Sequence, residues 1–185
     1  NAIAIMDNQI GHIYKAMEYR RKTHDENWQI FITTDHGRDS ETGKGHGGQS
    51  DRERLTWIVT DANDLNDYFK IETPGIIDIL PTMLRSLEIS PERNRRFEID
   101  GAPITGPLSV SSLKAKIQGK NLYLNWKTYN QDKRLKIYLS TENGFKNGIY
   151  DHYILVKKVK GNSHSTKIDV SKYPSDYYKI VIEGK

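Results

Sequence analysis

The chain has 185 residues, of which 36% are hydrophobic and 28% are charged, a composition that suits one medium domain or two small ones. The net charge of +4 is interspersed with acidic residues, and no basic helix or nucleic-acid motif accompanies it, so we expect no nucleic-acid partner. The absence of cysteine excludes disulfides, thiolate metal ligands and a cysteine nucleophile. No apolar run has the length of a bilayer span, so no membrane span is expected.

The first half of the chain has a helix and strand pattern. Met6, Ile10, Ile13 and Met17 recur at helical spacing and predict a helix that ends near Arg21. Because this pattern begins at once, and the first residue is Asn1 and not Met, we expect a processed product or a fragment with sequence missing upstream. Residues 28–34 are apolar on both faces and predict a buried, parallel strand, and residues 55–59 predict a second strand.

A second helix and a domain boundary follow. Apolar residues at helical spacing predict a helix over about residues 78–89, with Asp78 as its cap because Pro81 fits the first turn. Residues 61–70 are polar and resemble a loop. Residues 91–107 are charged and then rich in Gly and Pro, which predicts the domain boundary there.

The second half changes to a strand pattern without helices. Gly119, Lys120 and Asn121 predict a hairpin turn. The six predicted strands cover residues 113–117, 122–126, 135–139, 153–159, 166–170 and 177–182. Several short strands at fairly regular spacing are typical of a β-sandwich. Residues 108–185 therefore form the predicted second domain, with Trp126 as a core residue and Tyr178 in a possible tyrosine corner.

Three polar side chains in the first half have the chemistry of metal ligands. Asp35 and His36 follow directly on the strand of residues 28–34, and ligands bind at the C-terminal ends of strands in α/β folds. A carboxylate and an imidazole are ordinary zinc or manganese ligands. His46 follows in a glycine-rich loop, where Gly45, Gly47 and Gly48 would allow close backbone approach to an ion or an oxyanion.

Each of these features has a plainer interpretation. Asp35, His36 and Gly37 alone would more often be a turn that ends a strand, and His46 alone would more often be an exposed loop histidine. Asp7 and His12 are best interpreted as polar residues on a helix. Four further polar residues flank the metal motif and are expected to be exposed, although any of them could touch a substrate: Arg38, Asp39, Gln49 and Arg52.

The order of five short segments resembles the alkaline phosphatase superfamily, most closely the branch of nucleotide pyrophosphatases and phosphodiesterases. These segments are DNQIG (7–11), FITTDHG (31–37), GHGG (45–48), IDILPTML with LEI (77–84 and 87–89) and FEIDG (97–101). The resemblance covers about residues 1–105 and implies an α/β fold, namely the C-terminal part of an alkaline-phosphatase-like sheet with flanking helices. An all-β sandwich then follows, which is similar to a fibronectin III domain only loosely.

The resemblance also implies a site and an activity. Asp35 and His36 match a pair that binds one metal ion, and His46 matches a histidine that binds the other, so two divalent ions are expected, with zinc as the expected metal. The family's nucleophile, a Thr or Ser, and its other ligands match nothing in this chain, so the segment alone is expected to be inactive. The implied activity is hydrolysis of a small phosphoester in an extracytoplasmic compartment.

Two alternatives remain open at this stage. A sulfatase of the same superfamily shares the segment around Pro81 and Thr82, although His46 favours the two-metal branches. A non-catalytic binding or adhesion protein could also retain the hydrolase fold, and the missing nucleophile is the feature that favours it. The substrate and the oligomeric state do not follow from the sequence.

Overall fold

The computed structural model describes residues 2–129 and 134–184 of the chain. The chain divides into two compact units, residues 1–63 and residues 64–185. Helix and strand each make up 28% of it, and its sheets are antiparallel and have two or three strands. The mixture of helix and strand confirms the predicted fold class in this coarse sense. Among the described residues, no helix has both the length and the apolar character needed to cross a membrane.

The first unit contains a long helix and a two-stranded sheet. Helix α1 spans Ala2–His24, strand β1 spans Phe31–Thr33, the short helix α2 spans Asp51–Arg54 and strand β2 spans Ile58–Thr60. The helix predicted from the apolar spacing is therefore confirmed, and it extends three residues beyond Arg21. Its last turn holds Arg21 and Lys22, whose positive charges complement the helix dipole.

The prediction of a buried parallel strand is wrong. Strand β1 pairs with β2 in antiparallel register, with Ile32 opposite Val59. Val59 is 55% exposed, and the three residues of β1 are only partly buried. A short apolar run does not by itself distinguish a strand buried on both faces from a short antiparallel one, which explains the error.

The second unit begins with short helices. Helix α3 spans Asp67–Ile71, a 3₁₀ turn spans Ile76–Asp78, α4 spans Ile79–Ser86 and α5 spans Arg93–Arg96. Helix α3 lies in residues predicted as a loop. The Asn66 side chain caps it by accepting a hydrogen bond from the Phe69 amide at 3.2 Å.

Asp78 occupies the N-cap position of α4, as predicted, but its side chain makes no capping hydrogen bond to that helix. Its buried carboxylate instead accepts hydrogen bonds from the Gly75 amide at 2.7 Å, the Tyr68 hydroxyl at 2.8 Å and the Ala102 amide at 2.6 Å. The Asp78 carboxylate thus links helix α3, the start of the 3₁₀ turn and the segment at Ala102.

Thr82, one turn further along α4, extends this network. Its hydroxyl donates to the Asp78 carbonyl at 2.6 Å and accepts from the Ile104 amide at 3.0 Å. Both Thr82 and Ile104 are fully buried. Residues 101–105 are therefore fixed against α4 by hydrogen bonds, which give the backbone amides of Ala102 and Ile104 their partners.

Six strands form the remainder of the second unit. They are β3 (Val110–Gln118), β4 (Asn121–Thr128), β5 (Arg134–Ser140), β6 (Ile154–Lys160), β7 (Ser165–Asp169) and β8 (Lys179–Glu183). They make two antiparallel sheets, with strand orders β3-β4-β7 and β6-β5-β8. The predicted hairpin is confirmed between β3 and β4, where Gly119 has a φ of 57° that suits glycine.

The two sheets share one hydrophobic core. Buried residues from β4, β5 and β7 and from the residue after β7 meet in a single cluster: Leu122, Leu124, Trp126, Leu135, Ile137, Leu139, Ile168 and Val170. The Tyr178 hydroxyl donates to the Tyr173 carbonyl at 2.8 Å, which is the hydrogen bond expected of a tyrosine corner. This agrees in outline with the predicted sandwich, and its likeness to fibronectin III stays a prediction.

Residues 64–107 are joined to the sheets by two buried polar networks. The Glu72 carboxylate accepts from Ser111 at 3.0 Å and from the Tyr129 hydroxyl, and burial together with this bond raises the pKa of Tyr129 to about 12. At a second point, the Lys179 ammonium lies between Glu98, at 2.7 Å, and the buried Asp151. The boundary predicted at residues 105–108 lies inside this compact unit, and independent domains on either side of it stay a prediction.

Candidate metal centre

The candidate centre lies in the first unit, directly after strand β1. The Asp35 side chain is 83% exposed and that of His36 is 34% exposed. The Asp35 Oδ1 atom accepts a hydrogen bond from the His36 amide at 2.9 Å, which turns the carboxylate back toward its neighbour. Both side chains therefore lie on one side of the chain, and their binding of one ion stays a prediction.

The His36 ring is held in a definite orientation. Its Nδ1 atom lies 2.7 Å from the Gly37 carbonyl oxygen, and its Nε2 atom lies 3.3 Å from Asp35 Oδ2. A carbonyl oxygen only accepts hydrogen bonds, so Nδ1 carries a hydrogen and donates it. The other ring nitrogen, Nε2, is the one that faces the Asp35 carboxylate.

The glycine-rich loop brings His46 to the same place. The rings of His36 and His46 stack with their centroids 4.4 Å apart and their planes inclined by 25°. The structure thus brings all three predicted ligands into one contact cluster, although the two histidines are ten positions apart in the sequence. By contrast, Asp7 and His12 are exposed residues of helix α1.

Asp39 organises the loop that carries His46. Its carboxylate accepts hydrogen bonds from the amides of Glu41 at 3.0 Å, Thr42 at 2.6 Å and Gly45 at 2.5 Å. The bond from the Thr42 amide, with that from the Thr42 hydroxyl and the other amides, holds the pKa of Asp39 well below its usual range. The Gly45 bond lies one residue before His46, so Asp39 fixes the start of the segment that presents the imidazole.

Glu53 closes the other end of the loop. Its carboxylate accepts from the Gly48 amide at 2.8 Å and from the Ser50 hydroxyl at 2.6 Å, and these bonds lower the pKa of Glu53. Ser50 and Glu53 form a capping box at the start of α2. The Gly37 amide donates to the Glu53 carbonyl at 2.7 Å, so the residue after His36 is tied directly to this helix.

Gly37 is required by this close packing. A Cβ atom at residue 37 would lie 1.9 Å from the Arg52 carbonyl oxygen, a distance that two unbonded atoms do not reach. The glycine therefore lets two backbone segments touch, in addition to the turn that the sequence predicts.

The remaining flanking residues serve the loop. Arg38 donates to the Lys44 carbonyl at 3.0 Å, and Arg52 lies 3.5 Å from the Ser40 carbonyl. Among the described residues, the Gln49 side chain has no hydrogen bond or ion pair. The part played by Asp39 and Glu53 was missed from the sequence, yet Ser50 to Glu53 has the S-x-x-E spacing of a capping box and could have indicated a helix start there.

The donor set fits a metal only in part. Within residues 2–129 and 134–184, no group of three or more His, Cys, Asp or Glu side chains has an arrangement that could hold one metal ion. The donors are instead a carboxylate with a facing imidazole, and a second imidazole stacked on the first. A pair of protein donors leaves half of a four-coordinate zinc sphere to water or to other residues.

Comparison of the chain with models of known protein families, with curated protein sequences and with solved structures gave no match.

Proposed function

We propose that residues 1–105 are part of a two-metal phosphoester hydrolase of the alkaline phosphatase superfamily. In this proposal Asp35 and His36 hold one divalent ion and His46 holds the other, with zinc as the expected metal. The nucleophile belongs to sequence outside this chain, so residues 1–185 alone do not turn over substrate. The α/β sheet of that superfamily and the extracytoplasmic location are parts of the same proposal.

The observation that carries the proposal is the orientation of His36. Histidines that bind metals usually donate their second ring nitrogen to a carbonyl or carboxylate, which fixes the ring and increases its basicity. His36 Nδ1 makes this bond to the Gly37 carbonyl, and Nε2 faces the Asp35 carboxylate.

The stacking of His46 on His36 places the proposed ligand of the second ion beside a proposed ligand of the first, with ring centroids 4.4 Å apart. Two divalent ions supply charge that stabilises the attacking and leaving oxygens of a displacement at phosphorus. The protein residues described above orient the donors, because Asp39 and Glu53 hold the loop on both sides of His46.

A second candidate is a binding protein that keeps the hydrolase fold without catalysis. It is favoured by the lack of a three-donor metal group among the described residues. The two candidates differ in whether the natural gene product cleaves a phosphoester, and zinc binding at these donors is a requirement of the first candidate.

Zinc binding by the 185-residue protein is the first test, measured by calorimetry and by the absorption spectrum of the cobalt-substituted protein. We expect binding that His46→Ala and Asp35→Asn each weaken by about tenfold or more, since each removes one donor. His152→Ala is the matched control, because His152 is an exposed histidine of the second unit. Equal affinity in all four proteins, or no zinc binding at all, would contradict the metal centre.

The activity is tested on the natural gene product that carries these residues, with a bis-aryl phosphate, an aryl monophosphate and an aryl sulfate. Cleavage of a phosphoester that His46→Ala abolishes is the expected result. Cleavage of the sulfate alone would replace the proposal with a sulfatase. Zinc binding without cleavage of any of the three would favour the non-catalytic candidate.

A further inference from the structure

The outer face of the β6-β5-β8 sheet carries like charges directly opposite one another. Arg134 on β5 pairs with Lys160 on β6, and two residues along the same strands Lys136 pairs with Lys158. Residues two apart on a strand point to the same face, so the four side chains form one square. Its sides are about 7 Å along the strands and about 5 Å across them. We call this set of four residues the basic square.

This arrangement is unfavourable for folding. Like charges on directly opposed residues destabilise a strand pair, and here two such pairs follow one another. Of the four residues, only Lys136 has an ion pair within the described structure, with Glu183 at 3.9 Å. Glu183 is also shared with Arg93 at 3.4 Å and Arg96 at 4.0 Å, so it compensates little of the positive charge. A cluster of positive charge that is little compensated attracts an anionic partner.

The surroundings of the basic square limit the shape of that partner. The next outward residue on β5 is Tyr138, which is buried under Phe97, with ring centroids 5.0 Å apart, and under the Arg93 guanidinium at 4.6 Å. Residues 93–97 therefore pack on the outer face of the sheet beside the basic square and project above it, which forms a step. A flat bilayer would rest on this step, whereas a linear chain can lie along the sheet next to it.

The chemistry of the basic square also disfavours single-stranded nucleic acid. Proteins that bind single strands stack bases on exposed aromatic rings. The aromatic side chain adjoining the basic square is Tyr138, and its ring is covered. Three of the four side chains are lysines, whose compact ammonium groups act as point charges. Point charges without an exposed aromatic ring suit the sulfate and carboxylate groups of a sugar chain.

We propose that the basic square binds an acidic polysaccharide, with the sugar chain running along strands β5 and β6 and its anionic groups paired with Arg134, Lys136, Lys158 and Lys160. The side chains of Arg134, Lys158 and Lys160 are exposed, and none of the three has an ion pair among the described residues. This binding is independent of the proposed hydrolase activity, because it uses only the second unit.

The test is binding of the 185-residue protein to an immobilised heparin-derived oligosaccharide, with uncharged dextran as the blank. The test variant replaces Arg134, Lys158 and Lys160 by Gln. The matched control replaces Lys114, Lys116 and Lys167 by Gln, since these lysines face outward on the other sheet and the charge change is the same. We expect at least about a tenfold loss of affinity in the test variant and less than about a twofold change in the control.

Two further measurements separate this proposal from its competitors. The affinity for heparin is expected to fall as salt is raised, and to exceed the affinity for a single-stranded oligonucleotide and for vesicles containing phosphatidylserine. Equal loss in the test and control variants would show attraction by net charge alone and would overturn the assigned surface. Absence of binding to heparin, or stronger binding to the oligonucleotide or to the vesicles, would overturn the assigned partner. Circular dichroism of both variants confirms that they are folded.

Discussion

Replacing Asp78 by Asn tests whether one buried carboxylate holds the first part of the second unit together. The wild-type carboxylate accepts three hydrogen bonds, from Gly75 and Tyr68 at Oδ2 and from Ala102 at Oδ1. An asparagine has one acceptor oxygen and one donor nitrogen. If the oxygen keeps Gly75 and Tyr68, the nitrogen faces the Ala102 amide, and two donors then oppose each other at a distance of 2.6 Å.

The expected loss of stability follows from these bonds. A buried donor without a partner costs about 1–3 kcal/mol, and the two remaining bonds lose the strengthening that a charged acceptor gives. We expect Asp78→Asn to lower the free energy of unfolding of the second unit by about 3 kcal/mol. With a urea dependence of about 2 kcal/mol per molar, the midpoint would fall by about 1.5 M.

Tryptophan fluorescence can isolate this transition. Trp126 lies in the core of the second unit, whereas Trp28 and Trp57 are exposed residues of the first unit. Urea unfolding would therefore be followed in a background with Trp28→Phe and Trp57→Phe, so that Trp126 is the reporter. Asp176→Asn makes the same charge change at an exposed position and serves as the control. A midpoint for Asp78→Asn within about 0.3 M of that control would refute the reasoning.

Three further predictions concern the other networks. Burial by itself would raise the pKa of Glu72, but hydrogen bonds from Ser112 and Tyr129 outweigh burial, and the pKa is lowered. The Glu72 carboxylate therefore contributes stability above about pH 4.3, and this contribution is lost as pH falls through the folded-state pKa. Glu72→Gln should therefore be less stable than wild type at pH 7 but lose less stability between pH 7 and pH 3, and a parallel decline in both proteins during acid titrations in urea would contradict this. Lys158→Glu places an acid opposite Lys136 and should raise the thermal midpoint by roughly 2 °C at low salt; an unchanged or lower midpoint would contradict a destabilising repulsion across the basic square. Gly37→Ala should displace the backbone of Arg52 and abolish the stacking of His36 on His46, which chemical shifts of the imidazole protons would report, while unchanged shifts would mean that the close backbone approach is not required.

The sequence predicts elements best where one pattern repeats. Four apolar residues at helical spacing identify α1, because a helix of this length repeats its signal several times. The strands of the second unit were predicted within a few residues, since turn residues bound most of them and the glycine at position 119 marks a hairpin. Short elements such as α3 give no such repetition and were missed.

Strand partners and buried polar contacts are not local properties, and this is why the prediction failed for them. The apolar run before Asp35 says nothing about the direction of its neighbour, and its partner Ile58–Thr60 lies beyond a loop of more than twenty residues. Asp78 looks like a helix cap in sequence because Pro81 and Thr82 follow it. Its true partners include Ala102, which is 24 residues away and is brought near only by folding.

The loop of residues 37–53 illustrates how a glycine-rich segment can be rigid. Glycines alone indicate flexibility. Here the Asp39 carboxylate accepts hydrogen bonds from three backbone amides and the Glu53 carboxylate accepts one from the Gly48 amide, so the chain is held by a carboxylate on both sides of His46. A ligand that is already oriented loses less conformational entropy when it binds an ion. If the metal proposal is right, removing the Asp39 carboxylate should weaken zinc binding although Asp39 is not itself a ligand, and Asp39→Asn would show this as a reduced affinity with an unchanged cobalt spectrum. A changed spectrum would instead mean that Asp39 touches the ion.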